Sequence, residues 1–128
     1  MRLFLVRHAH AADGSPDELR RLSPEGRRQA GELSRRFAEV EVDAVVTSPL
    51  LRARETADAI ARAAGARLQV DERLAPGATV DGVTEAARGA GGTVVAVGHQ
   101  PDCGEIAAAV TGRDHAFPPA GVVELELP

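Results

Sequence analysis

A chain of 128 residues with one cysteine, Cys103, has room for one core and one domain spanning residues 1–128, and it excludes an intrachain disulfide. A net charge of −4 argues against a nucleic-acid partner, and three phenylalanines without tyrosine or tryptophan leave no stacking platform for bases. All fifteen basic residues are arginine, which excludes a P-loop lysine or a Schiff base; no signal-peptide pattern and no membrane-length apolar run is present, so a cytoplasmic protein with no membrane partner is expected.

Arg2–Val6 is a compact apolar strand that ends at Arg7-His8. A polar loop containing Asp13-Gly14-Ser15-Pro16 runs on to Leu22. Ser23-Pro24 then opens a helix to Phe37, with a capping hydroxyl followed by proline in the first turn. Ala30, Leu33 and Phe37 share one face of it. Ala44–Thr47 is a second strand, broken by Ser48-Pro49. Leu50–Ala64 is an alanine-rich helix closed by Gly65 at its C-terminal end. Leu68–Val70 is a short strand, followed by a loop with Pro76-Gly77 and a helix over Val80–Arg88. Thr93–Val97 is the most β-branched segment and predicts a central buried strand ending at Gly98-His99. A helix over Pro101–Val110 follows, and Val122–Leu127 alternates apolar and acidic residues as a half-exposed last strand. Strands alternating with helices predict an α/β fold of three layers, α/β/α, around a mostly parallel central sheet.

Three strand ends carry the unusual polar residues: Arg7-His8, Ser48 with Arg52 a turn later, and His99. Ligands of open α/β sheets bind at the carboxyl ends of the strands, so two histidines and two arginines are expected on one rim. A neutral imidazole is a nucleophile, and guanidiniums grip and neutralise an anion. Neighbouring arginines also disfavour protonation of His8. The helix after Pro101 is expected to point its backbone N–H groups at the same place.

These residues sit in recognisable motifs. Leu5-Val6-Arg7-His8-Ala9, Ser48-Pro49-Leu50-Leu51-Arg52-Ala53-Arg54-Glu55-Thr56-Ala57 and Val97-Gly98-His99 resemble, in order and spacing, the motifs of the histidine phosphatase (phosphoglycerate mutase-like) superfamily. The resemblance implies His8 as nucleophile, with a phosphohistidine intermediate. It implies Arg7, Arg52 and His99 as the phosphate pocket, with Ser48 and Gln100 as secondary phosphate contacts. No cofactor and no metal is expected.

Mutase-like members place a proton-donating acid after the third strand, in a Leu-x-Glu pattern. The corresponding position here is Pro76, within Leu74-Ala75-Pro76-Gly77, and Glu72 is out of register. The short chain, the missing acid and this segment resemble the SixA-type phosphohistidine phosphatases. An alkoxide needs a proton donor to leave, whereas imidazole is the same group as the attacking nucleophile. The expected substrate is therefore phosphohistidine in a protein, such as a histidine phosphotransfer domain. The alternatives are a small-molecule phosphate monoesterase and a non-catalytic phosphoprotein-binding module. Asp13, Asp81 and Glu85 remain unranked candidates for a donor, and the Ala11–Leu22 loop is the expected docking segment.

Other readings are weaker. His8, His10 and Asp13 have loose metal-site spacing, but the chain's one Asp-His pair, Asp114-His115, lies far away. A cysteine phosphatase needs an arginine six residues after the cysteine, where Ala109 stands. Cys103 near a helix start is a place where a thiol pKa falls.

Overall fold

The computed structural model describes every residue, Met1–Pro128. Five strands alternate with four helices: β1 (Arg2–Arg7), α1 (Pro24–Phe37), β2 (Ala44–Thr47), α2 (Leu51–Ala64), β3 (Arg67–Val70), α3 (Val80–Arg88), β4 (Thr93–Gly98), α4 (Asp102–Thr111) and β5 (Val122–Glu126). They form one sheet in the order β3-β2-β4-β1-β5. The first four strands are parallel, and β5 runs antiparallel along β1. This is the expected α/β fold with a mostly parallel sheet. The direction of β5 was not legible, because alternation shows which face a residue takes and not which way a strand runs.

Both faces of the sheet are covered. Leu3 and Leu5 of β1 join Val46, Val94, Ala96, Val83 and Ile106 in a core beneath α3 and α4. Phe4 and Val6 point the other way, into Val45, Val95, Val97, Leu33, Phe37 and Ile60 beneath α1 and α2. The period of two along β1 thus divides one strand between two cores. Phe4 and Phe37 meet edge to face, ring centroids 5.2 Å apart, an arrangement that suits their quadrupoles. Ala53 and Ala57 are wholly buried and let α2 lie close to the sheet. β4 lies at the centre, as its β-branched run predicts, and β3 is an exposed edge with Leu68 and Val70 open to solvent.

Helix ends follow the chemistry of their caps. Ser23 Oγ accepts from the Gly26 amide at 3.0 Å, and Gly65 adopts a left-handed φ of 66° beyond α2. Gly26 has a second reason to be glycine. A Cβ there would overlap the His10 carbonyl oxygen, so only a bare backbone lets the segment after β1 rest on α1.

The loop after β1 is more ordered than its composition suggests. Ala11 and Leu22 form an isolated antiparallel bridge, and Asp17–Leu19 make a 3-10 turn. Glu55 of α2 accepts from the Leu22 amide at 2.8 Å. No helix is long and apolar enough to cross a membrane.

Candidate active site

Register places the site. Arg7 pairs with Gly98, and Thr47 pairs with Val97, so β1, β2 and β4 end at one level. The next amides continue the ladder, His8 N–H to Gly98 O at 3.0 Å and Ser48 N–H to Val97 O at 3.0 Å. His8, Ser48 and His99 therefore leave adjacent strands side by side. The His8 and His99 rings lie 5.2 Å apart between centroids.

A cavity of about 460 Å³ opens above them, lined by Arg7, His8, Arg52, His99, Gln100 and Pro76, with His10, Ala11, Asp17, Arg20 and Pro119 completing the wall. A larger groove of about 640 Å³ between α1, α2 and β3 holds no histidine, and its Arg27 and Arg54 stand among Glu55 and Asp58.

His8 has a defined tautomer. Its Nδ1 lies 2.7 Å from the Ala9 carbonyl oxygen, which only accepts, so Nδ1 carries the proton and Nε2 keeps its lone pair. The His8 pKa is lowered to about 4, chiefly by burial and then by the charges of Arg52, Arg7 and Arg20, against the Ala9 hydrogen bond, which raises it. The expectation that arginines keep His8 neutral is thus corrected in emphasis: desolvation is the larger cause. Ala9 is itself held by an N–H bond to Thr56 Oγ1 at 3.0 Å, and that hydroxyl donates to Arg52 O at 2.8 Å. The segment that follows β1 and the helix that carries Arg52 are fastened to each other there.

His99 is 4% exposed, and its Nε2 lies 2.7 Å from Ser48 Oγ. Its pKa is also lowered to about 4, chiefly by burial and then by His8 and the arginines, with Asp17 opposing. Ser48 is wholly buried and accepts from Leu50 N–H at 3.2 Å. It does not line the cavity, which corrects the expected phosphate contact. Its hydroxyl instead acts on His99.

The arginines are anchored from behind. Arg7 Nη1 donates to Phe117 O at 3.0 Å, while its Nε is buried without a partner. Arg52 Nη1 donates to Asp17 O at 2.9 Å, and Nη2 reaches Asp17 Oδ2 at 3.2 Å. Gln100 lines the cavity, but its Oε1 is spent on Gly104 N–H at 2.7 Å. Cys103 N–H donates to His99 O at 2.9 Å, so two of the first amides of α4 serve their own chain. These two are therefore not among the backbone N–H groups that this helix was expected to point at the site.

Of the proposed donors, Asp13, Asp81 and Glu85 stay outside the cavity, and Glu85 lies 3.7 Å from Arg73. The one carboxylate in its wall is Asp17, which the sequence reading missed. Hydrogen bonds from Arg20 and Arg52 hold its carboxyl below the usual carboxylate range, in the ionised form. Pro76 does line the cavity. Asp102, buried at the start of α4, accepts from Gly77 and Ala78 N–H at 2.9 and 3.1 Å and so fixes that wall. Both Asp17 and Asp102 lie within short polar stretches that give no sign of these partners.

His10 Nδ1 lies 2.6 Å from Ser23 Oγ, and no three His, Cys, Asp or Glu side chains group to hold a metal ion. His115 pairs with Thr111 Oγ1 at 2.8 Å. Burial pushes the Cys103 thiol up to about 12, the reverse of the effect expected near a helix start.

The family model of the histidine phosphatase superfamily (branch 1) matches residues 3–86. An uncharacterized protein of Picosynechococcus sp. is 36% identical over 141 residues, covering 98% of this chain and 84% of its own length. The protein histidine phosphatase SixA, solved as a complex with tungstate, superposes with a TM-score of 0.82 at 26% identity, over 99% of this chain and 88% of that one. A SixA-type protein of Agrobacterium tumefaciens gives 0.83 at 27%, over 96% and 89%. A mycobacterial glucosyl-3-phosphoglycerate phosphatase, at 20% identity and a TM-score of 0.76 over 96% and 88%, shares the fold.

Proposed function

The chain belongs to the histidine phosphatase superfamily, and from that premise we propose that it removes phosphate from phosphohistidine on a protein by way of a phosphorylated His8. His8 Nε2 attacks phosphorus, the P–N bond of the substrate breaks, and its electron pair returns to the substrate imidazole. That ring leaves neutral when its second nitrogen carries a proton. Water then attacks phosphorus in line, the P–Nε2 bond breaks, and the pair returns to His8; the proton released by water passes to solvent. Nδ1–H stays on the Ala9 carbonyl throughout, so His8 is neutral both as nucleophile and as leaving group.

Arg7, Arg52 and His99 bind the equatorial oxygens, where two guanidiniums offset negative charge. Ser48 orients His99, and Gln100 borders the entrance. No metal is needed for these steps. Tungstate, bound by the SixA relative, is a tetrahedral oxyanion of the kind this pocket suits.

The observation that carries the choice of substrate is the pairing of Asp17 with both Arg20 and Arg52. The cavity has no other carboxylate, and this one holds no proton to give to an alkoxide. Pro76 stands in the wall where mutase-like members place the acid. The decisive experiment compares release of phosphate from a phosphohistidine protein and from alkyl phosphate monoesters, with chelator present. Preferential turnover of the phosphoprotein, unaffected by chelator, is expected. Robust monoester turnover with none of the phosphoprotein would make the protein a small-molecule phosphatase, and binding without turnover would make it a phosphoprotein-binding module.

A further inference from the structure

We propose that Arg20 is a third guanidinium of the oxyanion site, binding a phosphoryl oxygen beside Arg7 and Arg52; this rests on the reading that the cavity takes the phosphoryl group. Arg20 lies in none of the three motifs. The 3-10 turn Asp17–Leu19 brings it into the cavity wall, and the bridge between Ala11 and Leu22 closes the loop that carries it.

Its guanidinium is already aimed. Nε donates to Ala12 O at 2.9 Å, and Nη1 donates to Asp17 Oδ1 at 3.1 Å. Nη2 makes no hydrogen bond within the protein, and the side chain is 28% exposed. Two fixed nitrogens leave the third as a donor that is oriented before any ligand arrives, which lowers the ordering cost of binding.

Asp17 sets this arginine beside the other one. Its Oδ1 takes Arg20 while its Oδ2 takes Arg52, so one carboxylate holds two guanidiniums side by side at the cavity. Counting its arginines and its carboxylate, the wall carries three positive charges and one negative, a net of two positive charges that balances a phosphoryl dianion. Without Arg20 the wall would carry one. The proximity is felt at the nucleophile too, since Arg20 is among the charges that disfavour protonation of His8.

Orthovanadate affinity at fixed ionic strength tests the assignment, with circular dichroism as the check on folding. Arg20→Gln is expected to weaken binding roughly 10- to 100-fold, the worth of one charge-assisted hydrogen bond. Arg21→Gln is the control. Arg21 is exposed, lies outside the cavity wall and carries the same charge, so binding is expected to stay within about twofold of the parent protein. Arg20→Lys keeps the charge and loses the fork, and an intermediate affinity is expected; it decides the question if Arg20→Gln fails to fold. Parent-like affinity in a folded Arg20 variant overturns the proposal, as does an equal loss in Arg21→Gln, which would reduce the effect to long-range charge. A parent protein that binds no vanadate would instead sink the phosphoryl-site reading itself. Because the readout is anion binding, it stands whichever phosphate ester or phosphoramidate the enzyme prefers.

Discussion

Two histidines leave neighbouring parallel strands at the same level, and the protein treats them differently. His8 follows β1 and gives its Nδ1 proton to the backbone, at the Ala9 carbonyl. His99 follows β4 and spends Nε2 on a side chain, the buried hydroxyl of Ser48. A carbonyl fixes a tautomer outright, because it only accepts. A hydroxyl both donates and accepts, and it leaves the tautomer to the ligand. The same residue type in the same sheet environment thus has a committed lone pair in one strand, which suits the proposed nucleophile, and an adaptable ring in the other, which suits the proposed phosphate contact.

The sharpest way to break that comparison is to remove each ring. His8→Ala should lower turnover roughly 10⁴-fold or more, since no other group takes the phosphoryl. Brief exposure to labelled substrate should then leave no protein-bound phosphate. His99→Ala should cost about 10²- to 10³-fold, as expected for one transition-state donor, while the labelled intermediate still forms. Full activity in His8→Ala would end the nucleophile assignment. Next in size, Ser48→Ala should slow turnover about 10- to 100-fold, because it leaves a buried ring nitrogen without its partner. The loss should fall on kcat more than on KM. An unchanged kcat would make Ser48 a packing residue.

The smallest effect is a titration. Ring resonances of His8 and His99, assigned with the alanine variants, should titrate near pH 4. Both folded pKa values lie below the ordinary 6.5. The unfolded chain therefore binds more protons between those values, and the two rings subtract stability as pH falls from about 6.5 towards 4. The melting temperature should fall over that window in the native chain and fall less in His8→Ala. Titration of both rings at the ordinary value would show that burial does not set their charge.

How much of this was legible depended on whether a residue's role was local. The β-branched run of β4, the Ser23 cap and the Gly65 terminus are written into short stretches, and each stands where the pattern places it. Arg7, His8, Arg52 and His99 were found because strand ends and motif spacing bring them to one rim. Asp17 and Arg20 were not, since their partners Arg52 and Ala12 reach them through a loop whose path depends on tertiary contacts. Ser48 was found, but its burial beside His99 was not, because depth below a cavity wall depends on tertiary packing. Cys103 is the small helix residue that the sequence suggests, buried in α4. Closeness to a helix start is visible in sequence, and burial, which outweighs it, is not.

Asp102 joins two parts of the molecule that chemistry would keep apart. Its carboxylate grips the Gly77 and Ala78 amides, while its backbone lies three residues from His99. The cavity wall around Pro76 is thereby tied to the segment that follows β4. On the proposed reading, a substitution at residue 102 would shift the Pro76 wall against His99 while leaving every phosphate-binding side chain in place.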